Sequence, residues 1–252
     1  MTADEYLWHI LQREQVDNSA LSPARRVIGA LLPTLQAWGD IYLMSIYPSG
    51  SFAKGTANDS GTDIDVFVSL RADVPNTLQG IYNTLFNALA QAGYSPRRQN
   101  VSIGIRVGGY DVDVVPAKRQ SNIGEDHSLY RTKADTWTKT NVNQHIQIVS
   151  NCGRTNEIRV LKLWRNQKGL DFPSFYLELA AIEALRGNFN PVLSASVVTV
   201  WRYLQSSFVD ARFVDPANTN NVISDDLTRQ QRQSIATAAG AALLANWAAC
   251  IA

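Results

Sequence analysis

Apolar residues recur with a helical period over the first forty positions of the chain. They are spaced three or four residues apart over Tyr6–Leu11 and again over Val27–Trp38. That spacing places them on one face of an α-helix. The run Asp17–Pro23 between them is rich in residues that favour turns. The pattern therefore predicts two N-terminal helices that lead into the core.

The middle of the chain, from about residue 41 to 117, has the two-residue period of β-strands. Apolar residues occupy alternate positions in Ile64–Val68 and in Val101–Val107, which is typical of strands with one face in the core. Gly108 and Gly109 separate the second run from Tyr110–Val115. Two consecutive glycines favour a tight hairpin because both tolerate positive φ. An antiparallel pair is therefore predicted here.

From about residue 141 the pattern is helical almost everywhere, as it also is over Thr77–Ala92. Two segments, Lys118–Thr140 and Val209–Ser224, are polar and lack a core-forming period, so we predict loops there. We expect residues 1–140 to form N-terminal helices with a strand-rich core, and residues 141–252 to form a helical C-terminal domain. The helices predicted in the second part are His145–Ser150, Glu157–Lys168, Ser174–Leu185, Val192–Phe208 and Asp226–Ala249.

Composition narrows the class of protein. A chain of 252 residues has room for one or two domains, and 45% hydrophobic with 18% charged residues is ordinary for a globular protein. A net charge of +1 provides no overall attraction to nucleic acid or to an anionic membrane. Two cysteines and three histidines without ligand spacing argue against structural zinc. With no signal peptide and no long apolar run, we expect a cytoplasmic protein that does not enter a membrane.

Two carboxylates mark the start of the first predicted strand. Asp63 and Asp65 flank Ile64, and because side chains alternate along a strand, both project from the face opposite Ile64. Like charges so close together are stabilised mainly by a cation between them. Carboxylate oxygens suit Mg²⁺ or Mn²⁺, which bind one or two carboxylates together with substrate phosphates.

Further acidic and glycine-containing motifs extend this pattern. Asp111 and Asp113 share a face on the strand after the hairpin, and three carboxylates on neighbouring strands can hold two metal ions for phosphoryl transfer. In the turn Gly50-Ser51, glycine permits a close backbone approach and serine offers hydroxyl and N–H donors to a phosphate. Each motif is common alone, but their ordered combination is not.

This combination resembles the polymerase-beta-type nucleotidyltransferase superfamily. Within it, the chain is most similar to the cGAS/DncV-like nucleotidyltransferases (CD-NTases) and the oligoadenylate synthetases. Gly50-Ser51 resembles the Gly-Ser signature, Asp63-Ile-Asp65 the metal-binding pair, and Asp113-Val-Val-Pro116 the third aspartate in its context. The resemblance implies an α/β (α+β) fold, with a polymerase-beta-like core on a mixed, mostly antiparallel sheet and a helical C-terminal lobe. It also implies three catalytic, metal-binding residues: Asp63, Asp65 and Asp113.

Two helical motifs extend the resemblance. Glu157–Arg165 and Pro173–Glu178 resemble two helices of the C-terminal domain in that family. By this match, Lys162 and Ser174 are expected to contact the donor triphosphate together with Gly50 and Ser51. The roles of His145, and of Asp111 as a further carboxylate near the metal, stay open.

The resemblance implies an enzyme that joins nucleoside triphosphates, such as ATP or GTP, into a cyclic or linear oligonucleotide second messenger and releases pyrophosphate. The expected setting is bacterial antiviral signalling, with Mg²⁺ or Mn²⁺ as cofactor. Because the sequence has no basic stripe, we expect control by a regulatory protein or a small molecule rather than by long duplex nucleic acid. Two alternatives are nucleotidyl transfer to RNA, as in the CCA-adding enzymes that share these motifs, and transfer to a protein. A third is an inactive nucleotide sensor or scaffold.

Overall fold

The structure, a computed structural model, describes residues 1–17, 19, 22–61 and 63–252. The chain folds into two compact units, which we call the helical unit and the sheet unit. The helical unit comprises Met1–Gln15, Thr56–Ser60 and Ile148–Ala252, and the sheet unit comprises Val16–Gly55 and Gly61–Gln147. Part of the predicted turn Asp17–Pro23 lies outside the described residues.

Helices and strands alternate in the first part of the chain, and helices dominate from residue 142 onward. The helices are α1 (Ala3–Arg13), α2 (Pro23–Gly39), α3 (Gly50–Lys54), α4 (Leu78–Gln91), α5 (Val142–Ser150), α6 (Thr155–Gln167), α7 (Ser174–Ala184), α8 (Leu193–Ser206), α9 (Arg229–Leu244) and α10 (Trp247–Cys250). The strands are β1 (Leu43–Pro48), β2 (Ile64–Leu70), β3 (Arg97–Arg98), β4 (Ile103–Val107), β5 (Tyr110–Arg119), β6 (His127–Arg131), β7 (Thr136–Thr140), β8 (Val214–Asp215) and β9 (Asn218–Val222).

The sheet unit is built on a seven-stranded sheet. Its main path runs β1-β2-β5-β4-β3, and β6 and β7 extend it from β5. The β2–β5 pair is parallel and the other strand pairs of this sheet are antiparallel, which confirms the predicted mixed, mostly antiparallel sheet. The predicted hairpin is also present, with Val107 opposite Tyr110 and both Gly108 and Gly109 at positive φ.

One face of this sheet is covered by two helices. The alternate apolar residues of β2, β4 and β5 pack against α2 and α4 and form one core. Ile64 and Val66 on β2 and Val112 and Val114 on β5 are at most 1% exposed in this core. Because side chains alternate across a strand, the residues between them must project from the opposite face. That opposite face carries the acidic residues.

The helical unit has its own core, and α1 contributes to it. Leu7, Ile10 and Leu11 of α1 are buried with aromatic residues of α6, α7 and α8. The apolar face of α1 thus packs with helices from the C-terminal half of the chain. Among the described residues, no helix combines the length and the hydropathy that a bilayer crossing requires.

The prediction of a loop over Lys118–Thr140 is wrong. This segment contains the end of β5 and the antiparallel hairpin β6–β7. The inward positions of β6 include His127 and Leu129, at 1% and 7% exposed. Because a histidine occupies one of these positions, the apolar alternation that marks a strand is interrupted.

Two predictions near the C-terminus also need correction. Val209–Ser224, predicted to be a loop, contains the short hairpin β8–β9. The single helix predicted over Asp226–Ala249 is two helices, α9 and α10, with Ala245 in an extended conformation between them. Asn246 caps α10 by accepting a hydrogen bond from the Ala249 backbone N–H at 2.9 Å, which favours a new helix start at this point.

Candidate active site

The three predicted aspartates meet on one face of the sheet. Asp65 on β2 and Asp113 on β5 are register partners in the parallel pair, and neighbouring strands lie about 4.8 Å apart. Asp63 comes one residue before β2 and shares the face of Asp65 by alternation. The β2–β5 pairing therefore brings together carboxylates from two distant parts of the chain.

The Gly50-Ser51 turn lies against Asp65. After β1 ends, the Ser49 backbone N–H donates to the Asp65 carbonyl oxygen at 2.8 Å. Gly50 has φ +58°, and a Cβ atom on it would lie 1.7 Å from Asp65 Oδ2. A side chain at this position is therefore excluded both by backbone strain and by the carboxylate. Ser51 follows in the first turn of α3, half-buried.

Asp113 has the perturbed electrostatics expected of an acidic cluster. Burial raises the pKa of Asp113, and the negative charge of Asp63 raises it further. Hydrogen bonds from Gln99 and Ser102 and the charge of Arg97 lower the same pKa, but less strongly. The burial has a visible source, because Phe67 and Val115, the next residues on this face, belong to a small apolar cluster.

The ligand atoms on this face are of the kind that binds a divalent cation. The carboxylates of this face supply the oxygen ligands that Mg²⁺ and Mn²⁺ prefer. Burial and then the negative charge of Asp63 raise the pKa of Asp113, and a cation would offset that charge. Within the described residues, no three His, Cys, Asp or Glu side chains are already arranged around an ion position. The fit therefore rests on the ligand types and on the strand register.

Sequence reasoning missed the polar side chains beside Asp113. Gln99 and Ser102 lie at the two ends of the turn between β3 and β4. The Ser102 hydroxyl donates to Gln99 Oε1, and Gln99 Nε2 and Asp113 Oδ1 both border Gly104. Gly104 is the register partner of Asp113 on β4. A glycine inside an otherwise regular strand often marks a close approach of another group. Gly104, between Ser102 and Arg106, therefore indicated that another side chain approaches the strand at this position.

Asp111 forms ion pairs with two arginines. Its carboxylate is half-exposed and lies 3.4 Å from Arg97 Nη2 and 3.7 Å from Arg106 Nε. These ion pairs give Asp111 cationic partners of its own on β3 and β4. This geometry supports Asp113 rather than Asp111 as the third carboxylate of the site.

In the helical unit, Lys162 is part of a buried polar cluster. Its Nζ donates to Thr56 Oγ1 at 2.8 Å and to Glu178 Oε1 at 2.7 Å. Lys162 is 5% exposed and Glu178 is completely buried. Buried charges in proteins are normally paired in this way. Lys162 is thus held between α6, α7 and the segment that begins at Thr56.

Ser174 is the first residue of α7, and its hydroxyl accepts a hydrogen bond from Arg165 Nη1 at 2.9 Å. The contacts to a donor triphosphate that the resemblance implies for Lys162 and Ser174 stay predictions. The structure adds that each side chain already has a partner within the helical unit.

Comparison with known proteins gives the following similarities. No protein-family model matches the sequence. Cyclic AMP-AMP-AMP synthase of Escherichia coli (strain MS 115-1) is 27% identical over 176 residues, covering 64% of this chain and 55% of that protein. The chain thus spans little more than half the length of this curated relative.

Solved structures match over nearly the whole chain. CdnC of E. coli MS115-1, in a complex with HORMA-deltaN, has a TM-score of 0.75 at 22% identity, covering 94% of this chain and 88% of that one. The CD-NTase CdnG of Bradyrhizobium diazoefficiens, in complex with GTP, has a TM-score of 0.79 at 13% identity, covering 94% and 89%.

The chain has the polymerase-beta-like nucleotidyltransferase fold. Within that class it is similar to the CD-NTases, which confirms the resemblance that the sequence motifs indicated.

Proposed function

We propose that this protein is a metal-dependent nucleotidyltransferase that joins nucleoside triphosphates into a cyclic or linear oligonucleotide second messenger. One observation carries the proposal: Asp65 and Asp113 are register partners on one sheet face, with Asp63 beside them and Gly50 packed on Asp65. The similarity to a cyclic AMP-AMP-AMP synthase supports the type of product.

Asp63, Asp65 and Asp113 would hold the divalent metal, Mg²⁺ or Mn²⁺. When bound, the metal supplies charge neutralisation at the triphosphate and lowers the pKa of the acceptor hydroxyl. The oxygen-only ligand set supports either ion, and the choice between them belongs to the experiment below.

The chain itself positions the reactants. Glycine at position 50 allows the backbone to approach Asp65 and, with Ser51, a phosphate group. Asp113, together with the metal it would hold, is proposed to assist deprotonation of the acceptor ribose hydroxyl as that oxygen attacks the α-phosphate and pyrophosphate leaves.

Nucleoside triphosphates are the proposed substrates, since the structural neighbour CdnG is a complex with GTP and the curated relative is named for an AMP product. A regulatory protein is the proposed partner, because CdnC is known as a complex with HORMA-deltaN. A role in bacterial antiviral signalling and a cytoplasmic location are part of the same proposal.

The test is to incubate the purified protein with the four nucleoside triphosphates and either Mg²⁺ or Mn²⁺, with and without a candidate regulatory protein. Mass spectrometry then identifies the products. We expect oligonucleotides and pyrophosphate from the wild-type protein, none from Asp65→Asn, and unchanged products from the matched control Asp111→Asn, whose carboxylate pairs with arginines.

Other outcomes would contradict the proposal. Pyrophosphate released only after RNA or another protein is added, with the nucleotide recovered on that macromolecule and no free oligonucleotide formed, would indicate transfer to a macromolecule. Binding of triphosphates without any turnover would indicate a sensor or scaffold. Full activity of Asp65→Asn would exclude the proposed metal site.

A further inference from the structure

The turn between β3 and β4 is held firmly by its backbone. The Gln99 N–H donates to the Ser102 carbonyl oxygen at 3.2 Å and closes the turn. The buried Tyr82 hydroxyl on α4 lies 3.1 Å from the Gln99 carbonyl oxygen and 2.8 Å from that of Ser102. Thr132 Oγ1 donates to the Gln99 carbonyl oxygen at 2.7 Å. These anchors do not involve the side chains of Gln99 or Ser102.

The Gln99 side chain of this turn lies beside Asp113. The Ser102 hydroxyl donates to Gln99 Oε1 at 2.5 Å, which leaves the Gln99 amide nitrogen as the donor of this pair. That nitrogen and Asp113 Oδ1 both border Gly104, since a Cβ atom there would lie 2.8 Å from the first and 3.5 Å from the second. Gly104 thus leaves the space for this arrangement. Ser102 is 6% exposed. Gln99 and Ser102 are therefore joined to each other by a hydrogen bond, and Gln99 packs against β4 at Gly104.

We propose that Gln99, held in place by Ser102, is a positioning residue, which fixes the orientation of the Asp113 carboxylate relative to the rest of the acidic face. A carboxylate on a β-strand can rotate about two bonds, and donors on one side restrict it to one orientation. The role of these contacts in catalysis rests on the function proposed above. The contacts themselves do not.

The first test compares Gln99→Ala and Gln99→Glu with a matched control. Glutamate has the size of glutamine but cannot donate when ionised and adds a like charge, so it separates hydrogen-bond donation from packing. Gln120→Ala is the control, because Gln120 also donates to a serine, Ser128, at 3.2 Å, but it does so beyond the far end of β5.

Loss of a residue that orients a metal ligand typically costs about 10- to 100-fold in activity or metal affinity. We therefore expect Gln99→Ala to lower kcat by that amount with little change in KM for the nucleotide, and to weaken Mn²⁺ binding measured by calorimetry. Gln99→Glu should lose at least as much, and Gln120→Ala should behave as the wild type. Wild-type kcat and Mn²⁺ affinity in Gln99→Glu would overturn the proposal.

A second measurement does not depend on turnover. In the metal-free protein, we expect Gln99→Glu to lower Tm, and most of this loss to disappear when Asp113→Asn is present, because the repelling charge is gone. Gln99→Ala is the alternative variant if Gln99→Glu does not fold: it removes the donor beside Asp113, so its Tm loss should also be smaller when Asp113→Asn is present. Equal Tm losses in both backgrounds would refute the positioning contact. If the Tm effects of Gln99→Glu and Asp113→Asn depend on each other but the wild-type protein consumes no nucleotide, the positioning contact stands and only the proposed function is refuted.

Discussion

A comparison of Gly50→Ala with Gly55→Ala distinguishes an effect on the geometry of the site from an effect on the stability of the fold. Gly50 and Gly55 lie at the two ends of α3 and both have positive φ, +58° and +70°. Alanine at either position carries a strain of about 1–2 kcal/mol in the left-handed region. The two positions differ in their surroundings, because a Cβ at Gly55 meets nothing within 4 Å, whereas one at Gly50 meets Asp65 Oδ2 at 1.7 Å.

The expected magnitude follows from that contact. Real Cβ atoms essentially never approach closer than 3.0 Å, so the Asp65 carboxylate and the turn must separate by more than about 1 Å. A misplacement of about 1 Å in a reacting site can cost on the order of 100-fold in rate. We therefore expect Gly50→Ala to lower kcat/KM by about 100-fold or more, and Gly55→Ala to change it only a few-fold.

Two measurements on the same preparations check this reasoning. Urea unfolding should show a loss of about 1–2 kcal/mol in Gly55→Ala and at least as much in Gly50→Ala, and pyrophosphate release should separate the two variants. Wild-type turnover in Gly50→Ala would show that Asp65 need not stay where the turn holds it. Equal loss of turnover in both variants would show that strain in α3, and not contact with the carboxylate, determines activity.

Three further predictions concern buried polar groups. Glu178→Leu removes the carboxylate that pairs with Lys162 and should lower the free energy of unfolding, measured by urea titration, by about 3–5 kcal/mol. The double variant with Lys162→Met should recover most of that loss, because no unpaired charge stays buried. Equal stabilities of the single and double variants would contradict this. Burial lowers the pKa of His127 from 6.5, so the neutral form stabilises the fold above that pH, and urea unfolding should show stability lost as the pH falls below 6.5, with a flatter profile in His127→Gln. Because burial and Asp63 raise the pKa of Asp113, Asp113→Asn should abolish turnover yet raise the Tm of the metal-free protein at pH 7, and a lower Tm would refute this account.

The sequence predicted the sheet face of the site because alternation along a strand is a local property. Asp63, Ile64 and Asp65 define which residues face the core and which face away, whatever strand lies beside them. The hairpin at Gly108-Gly109 is equally local, since two adjacent positive-φ positions define the turn type. These features needed no knowledge of distant contacts.

The remaining features depend on which parts of the chain meet. Gly104 indicates that some group approaches this strand closely, but nothing near Gln99 in the sequence identifies that group as Asp113, which comes beside it only through the β4–β5 hairpin. The burial of Lys162 likewise depends on Thr56 and Glu178, at 106 and 16 residues' separation. The β6 strand was missed because His127, whose ring bonds to Ser69 at 2.8 Å, fills an inward position that sequence patterns reserve for apolar residues.

The parallel alignment of β2 and β5 has a consequence for how the site comes into being. Parallel neighbours cannot be joined by a tight turn and need a long crossover, here the whole stretch of chain that carries α4, β3 and β4. Closing such a loop is entropically costly and delays the pairing during folding. A chain whose first strands have formed while β5 has not yet docked holds Asp63 and Asp65 but lacks Asp113, so we expect the complete set of carboxylates, and the activity proposed for it, only once β5 is paired.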